Sequence, residues 1–327
     1  MKTKINDNEC PVILINFLNY LLGIKNYSIC TINNYYLDLM IFFKFIKKYM
    51  NIQCEISQFN IFVLANVKES DIIAYLVYLN YYKNNTAQTR QRRLSSVRTF
   101  YKWLFINHKP FNEKENPTKY IPNIERVERL PRYLSLENAQ KIQNIFNLNN
   151  TKFPYRNNMI ITLFLHTGIR LSELISININ DINFKNNTIR IIGKNNKERI
   201  VYMDKLLRKK LKEYLIIRNK NKKIIQLNNA LFLSYHGKRL GIDGIEDICQ
   251  KAYKLMGLSE YGYTTHTLRH TAATLIYRKT RDLIVLKEFL GHAQLSTTEI
   301  YTHVINDEIL EAVEKNPLNE YVELKVA

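Results

Sequence analysis

Residues 264–303 read TTHTLRHTAATLIYRKTRDLIVLKEFLGHAQLSTTEIYTH. Apolar spacing predicts three helices here, His266–Lys279, Asp282–Leu290 and Ser296–His303. In fewer than forty residues the stretch gathers His266, Arg269, His292 and Tyr301, four side chains able to converge on one phosphate. His266 precedes Arg269 by one turn, so the two share a helix face.

Working outward, Asn157–His166 is an apolar helix that runs into HTGIRLSELISI over 166–177. Gly168 is placed to end that helix or permit a tight turn, leaving Arg170 at the start of the next short helix. One clear β signal follows: Ile189, Ile191 and Ile192 precede GKNNKE (193–198), and Ile200 and Val201 come after it. That is a hairpin whose turn holds Lys194, with Asn195 and Asn196 tolerant of left-handed backbone. Further helices are expected at Asp204–Asn219, Gly241–Met256 and Asn306–Lys315.

The first part of the chain reads as four helices: Glu9–Leu22; one capped by Thr31 and running to Met50; one beginning near Ser70 or Asp71; and Thr86–Asn107. In the last, Leu94, Val97, Tyr101 and Leu104 form a core stripe, while Arg90, Arg92, Arg93 and Arg98 crowd its first half as a phosphate-facing surface. A stretch with four prolines and many charges, 108–134, reads as an interdomain linker. Ser135 then caps a helix with Leu136, Ala139, Ile142 and Phe146 on its apolar face. The expected organisation is an N-terminal domain over 1–109, a linker over 110–134, and a second domain over 135–327. The fold class is mainly α with a small antiparallel sheet.

Lys and Arg outnumber Asp and Glu by 48 to 29, a formal charge of +19 that points to a polyanionic partner. The first 120 residues hold 16 basic and 8 acidic residues and the remainder 32 and 21, so the charge belongs to both parts rather than to a tail. Cys10, Cys30, Cys54 and Cys249 are scattered without metal-ligand spacing and read as reduced thiols. No apolar run suits a signal peptide or membrane span, so a cytoplasmic protein without membrane, metal or cofactor is expected.

Cutting a phosphodiester without metal needs a nucleophile, positive charge on the non-bridging oxygens and an acid for the leaving oxygen. Tyr301 supplies a phenol, Arg170 and Arg269 bidentate forks, and Lys194 on its turn an acid. HTGIRLSE (166–173), GKNNKER (193–199), HTLRHTAAT (266–274) and LGHAQLSTTEIYTH (290–303) resemble the catalytic motifs of tyrosine site-specific recombinases, most closely the bacterial Xer type. SLENAQKI (135–142) and QRRLSSVRTFYKWL (91–104) extend the resemblance over nearly the whole chain.

The resemblance implies a core-binding domain of four helices followed by a catalytic domain, closing on duplex DNA as a clamp. It makes Tyr301 the nucleophile, Arg170 and Arg269 the phosphate clamps, His266 and His292 the rest of the cage, Lys194 the general acid, and Glu173 a supporting acid. His266 is also the candidate for proton transfer with the tyrosine. The hairpin departs from the family's usual glycine at Asn195, and Lys197 is a second lysine in the same turn. His166 and His303 carry no family role and read as packing or capping residues, and His270 as a helix-packing or supporting residue.

The implied reaction is transesterification through a 3′-phosphotyrosyl bond and a Holliday junction. Its implied assembly is a homo- or heterotetramer on two copies of a specific recombination site. A second recombinase or a DNA translocase are further implied partners. The segment Asn306–Tyr321, with Ile309, Leu310, Val313 and Leu318 on one face, is expected to dock on a neighbouring protomer. Alternatives are an integrase or transposase of a mobile element, a relaxing topoisomerase, and a DNA-binding regulator without catalysis.

Overall fold

The computed structural model describes residues 9–108, 115–125, 131–149, 151–193, 198–220, 229–291, 298 and 301. The chain divides into two compact units, Met1–Glu128 and Arg129–Ala327.

The N-terminal unit packs α1 (Val12–Gly23), α2 (Ile29–Tyr49), α3 (Ile61–Ala65), α4 (Glu69–Tyr81) and α5 (Ala87–Asn107) around one core. The apolar stripes meet there as their spacing predicts: Phe17, Leu39, Phe42, Phe43, Tyr75, Leu94, Val97 and Tyr101 are all buried. Thr86 caps α5 by accepting from the backbone N–H of Thr89. At α2 the cap is Ser28, which accepts from Thr31 N–H, so Thr31 lies inside the first turn and the helix begins earlier than read. The short α3, absent from the sequence reading, is held by Asn60, whose side chain accepts from Phe62 N–H and Val63 N–H.

Residues 121–124 fold back onto α5. Arg98 donates to Ile121 O, to Pro122 O at 2.9 Å and to Asn123 Oδ1 at 2.6 Å. Gln91 accepts from Ile124 N–H at 2.7 Å and donates to Asn123 at 2.9 Å. The first part of the proline-rich stretch therefore packs on the N-terminal unit.

The second unit contains α6 (Leu136–Ile142), α7 (Ile145–Leu148), α8 (Pro154–Thr167), α9 (Leu171–Ser176), α10 (Lys205–Asn219), α11 (Ile242–Leu255), α12 (Thr265–Thr280) and α13 (Leu283–Leu290). Its sheet has the order β1 (Ile182–Asn183), β2 (Thr188–Ile192), β3 (Glu198–Tyr202), antiparallel throughout. The strand β1 went unread because two residues carry no periodicity. On β2 and β3, Ile189, Ile191 and Val201 are buried and pack into the main core, whereas Ile200 faces solvent. The helix read from Ser135 breaks into α6 and α7, and Leu136 is exposed rather than core.

Asp204 caps α10 through Leu207 N–H, and its other carboxylate oxygen lies 2.5 Å from His166 Nδ1. His166 Nε2 meets Gln143 Oε1 at 2.9 Å, so this histidine ties α8 to two neighbours as a packing residue. Gly168 ends α8 in the left-handed region, at φ 56°. An added Cβ would stand 2.9 Å from the Phe289 ring and 3.1 Å from Leu290, so α13 closes tightly over this turn.

Candidate active site

Arg170 is the N-cap of α9, and Glu173 in the first turn folds back to accept its backbone N–H at 2.8 Å. The same carboxylate takes Arg170 Nη1 at 2.8 Å and Arg199 Nη2 at 2.8 Å. Glu173 is buried at 2% side-chain exposure while Arg170 keeps 39%, so the carboxylate anchors the Arg170 guanidinium and leaves it partly exposed. Burial alone would raise the Glu173 pKa; Arg199, the Arg170 N–H and both guanidinium bonds outweigh it and hold the carboxyl below its ordinary value.

Arg269, on α12, is buried and donates to Gly168 O and to Leu290 O, the latter at 2.9 Å. It thereby joins the end of α8 to the end of α13. Burial and the like charge of Arg170 lower its pKa to about 10, which still leaves it protonated at neutral pH. Arg170, Arg199 and Arg269 face one buried carboxylate, and this excess of positive charge is what an incoming phosphate requires.

Tyr301 is 1% exposed and packs with Ala273 and Tyr277 of α12 and Leu286 and Leu290 of α13. His270 Nδ1 lies 2.7 Å from its phenol oxygen. Burial pushes the phenol up to about 12 against the opposing pull of Arg269, so the proton stays on Tyr301 in this arrangement. His270 is pushed down to about 4 by burial, His266 and Arg269, and is a neutral acceptor. His270, read from the sequence only as packing or support, is thus the histidine in contact with the tyrosine. His266 is exposed in the first turn of α12. The spacing of His266 and His270, four apart on one face, was the available signal. Lys194 and His292 lie outside the described residues, as does the segment Asn306–Tyr321.

Arg199, five positions after Lys194, carries no signal in the sequence beyond its place in GKNNKER (193–199). On α5, Arg92 Nη1 pairs with Asp38 Oδ2 at 2.5 Å and Arg93 Nε lies 3.8 Å from Oδ1. Ser96 adds a 2.8 Å bond to the same carboxylate, which is 2% exposed. Arg92 remains half exposed, whereas Arg93 keeps only 16% of its side-chain surface. Arg98 instead holds residues 121–123, as described above.

The pattern of the phage integrase family matches residues 132–308, and that of its N-terminal SAM-like domain matches 14–107. The tyrosine recombinase XerC of Caldanaerobacter subterraneus subsp. tengcongensis is 38% identical over 95% of this chain and 88% of its own length. The chain belongs to the phage integrase family. Within that family it is a tyrosine site-specific recombinase. XerD of Oceanobacillus iheyensis is 34% identical over 73% of this chain and 78% of its own. Among solved structures, the XerH site-specific recombinase bound to palindromic difH substrate superposes with a TM-score of 0.71 and 25% identity, covering 92% of this chain and 83% of that one. Lambda integrase on a core site, at 17% identity and TM-score 0.60, shares the fold. The expected fold class, mainly helical with a small antiparallel sheet, is the one found.

Proposed function

We propose that this recombinase cuts and rejoins duplex DNA at a specific site through a 3′-phosphotyrosyl intermediate and a Holliday junction, in the Xer-type resolution of chromosome or plasmid dimers. The observation that carries the reading is the convergence of Arg170 and Arg269 beside one buried carboxylate, with Tyr301 held against the helix that bears Arg269.

In the proposed step the Tyr301 oxygen forms a bond to phosphorus and the bond from phosphorus to the 5′ oxygen breaks. The phenol passes its proton to His266, and Lys194 gives one to the departing 5′ oxygen. Arg170 and Arg269 take up the charge that develops on the non-bridging oxygens, joined by His266 and His292, while Glu173 orients Arg170. The freed 5′ hydroxyl of a second duplex then attacks the phosphotyrosine, conserving the ester, so four protomers on two sites complete an exchange. With its pKa raised to about 12 by burial, Tyr301 is protonated at neutral pH and needs a base to take its proton as it attacks.

The decisive experiment begins by recovering DNA covalently attached to the protein in cells and sequencing it. The recovered site, built into a nicked duplex, should yield a covalent adduct on a denaturing gel with the wild-type chain and none with Tyr301→Phe. No adduct from wild type, or equal adduct from the variant, would sink the reading. Recovery of element termini rather than a chromosomal or plasmid site would select the mobile-element alternative.

Arg90, Arg92 and Arg93 are the proposed phosphate contacts of the N-terminal unit. Arg90→Ala is expected to weaken binding and reduce the slope of log affinity against log salt by about 0.9, the loss of one phosphate contact. An unchanged slope across a salt titration would return this arginine to solvent.

A further inference from the structure

We propose that Arg199 is a positioning residue for strand cleavage, locking Glu173 with its Arg170 and the turn that leads into His292 into one arrangement. The inference rests on the reading of Arg170, Arg269 and Tyr301 as the cleavage machinery.

Arg199 lies in β3 opposite Ile191 of β2, five positions after Lys194 in the sequence. Its side chain is 17% exposed and meets two separate stretches of chain, at Glu173 and at 289–291. Nη2 donates to Glu173 Oε2 at 2.8 Å, the oxygen that also accepts the Arg170 backbone N–H. Nη1 makes a longer 3.4 Å bond to Phe289 O, in the last turn of α13. The remainder of the side chain lies under Gly291: a Cβ there would stand 2.6 Å from Arg199 Cδ and 2.7 Å from Nε. Gly291 is also left-handed, at φ 62°, and immediately precedes His292.

One guanidinium therefore couples the base of the hairpin, the first turn of α9 and the turn after α13. An arginine suits this because its planar fork reaches acceptors in two directions, whereas a lysine places its charge on one atom. The role is positioning, since the two donors in use point to protein acceptors and the effect on phosphate passes through Arg170. Without Arg199, Glu173 keeps only Arg170 as its bonded cation, and Arg170 loses the rigidity of its anchor. A shift of about 1 Å in such a clamp costs on the order of 10²-fold in rate.

The test uses the full chain and the nicked duplex recovered as above, with single-turnover adduct formation, DNA affinity and thermal melting measured together. Arg199→Ala is expected to slow adduct formation by about 10–100-fold while affinity stays within about twofold. Glu173 is faced by Arg170 from its own helix, Arg199 from β3 and Arg269 from α12. Removing Arg199 raises its pKa, so the acid limb of the cleavage profile should move to higher pH. Arg199→Lys should recover part of the rate. Gly291→Ala should reproduce the defect by displacing the guanidinium without deleting it, and these two variants carry the test if Arg199→Ala fails to fold. Wild-type cleavage by folded Arg199→Ala, or a slowed rate with an unmoved acid limb, overturns the inference alone. Absence of adduct from the wild-type chain overturns the cleavage reading and this inference with it.

Discussion

Arg269→Ala is expected to lower single-turnover cleavage by about 10³-fold, the upper range for removing one preorganised donor to a developing oxyanion. It is also expected to lower stability by about 2–4 kcal/mol, because two carbonyls inside the unit lose their donor. Those carbonyls are Gly168 O and Leu290 O, at the ends of α8 and α13, and Arg269 is only 5% exposed. The two effects separate experimentally: denaturant melts give the stability change, and adduct formation normalised to folded protein gives the chemical one. Arg269→Lys should keep the charge yet recover little, since one ammonium cannot span both carbonyls and a phosphate. Cleavage by folded Arg269→Ala within tenfold of wild type would remove Arg269 from the cage.

Glu173→Ala should be the most costly change that touches no phosphate, at about 3–5 kcal/mol, because it leaves two guanidiniums without their buried partner. The pH dependence follows from the depressed pKa of this carboxyl. A group whose folded value lies below its unfolded one contributes stability above the unfolded pKa and loses it as pH falls through the folded pKa. Wild-type stability should therefore decline on acidification below the ordinary glutamate range. Glu173→Gln should be less stable at neutral pH and flatter across that window. Parallel melts from neutral to acid pH check this; two curves of equal slope would contradict the burial and pairing assigned to Glu173.

His270 and Tyr301 give the resting molecule its chemical character. A phenol pushed up to about 12 against an imidazole pushed down to about 4 keeps its proton, so the two meet as a neutral pair.

Local signals in the chain were read well where their cause is local. Caps and stops act over two to four residues, and Ser135 and Gly168 stand where the sequence places them. The apolar stripe Leu94, Val97, Tyr101 and Leu104 predicts the buried face of α5. Ser28 and Thr31 offer competing caps three residues apart and the backbone selects Ser28, while α3 and β1 are too short to show a period. Motif identity placed Arg170, Arg269 and Tyr301 in one family pattern, and the structure brings the two arginines to one carboxylate.

From sequence alone came the helical class, the hairpin, the basic character of both parts and the residue types for phosphodiester chemistry. Only the tertiary structure decided which groups meet. Tyr301 finds His270 across 31 positions, Arg199 finds Glu173 across 26, and Arg98 finds Ile121 across 23. No periodicity or spacing rule reaches so far, because such contacts depend on the path of the backbone and on how tightly α12 and α13 pack. The motif supplied residue types suited to a recombinase site; packing determined that its tyrosine rests buried, and that Arg199 ties α9 and the end of α13 to β3.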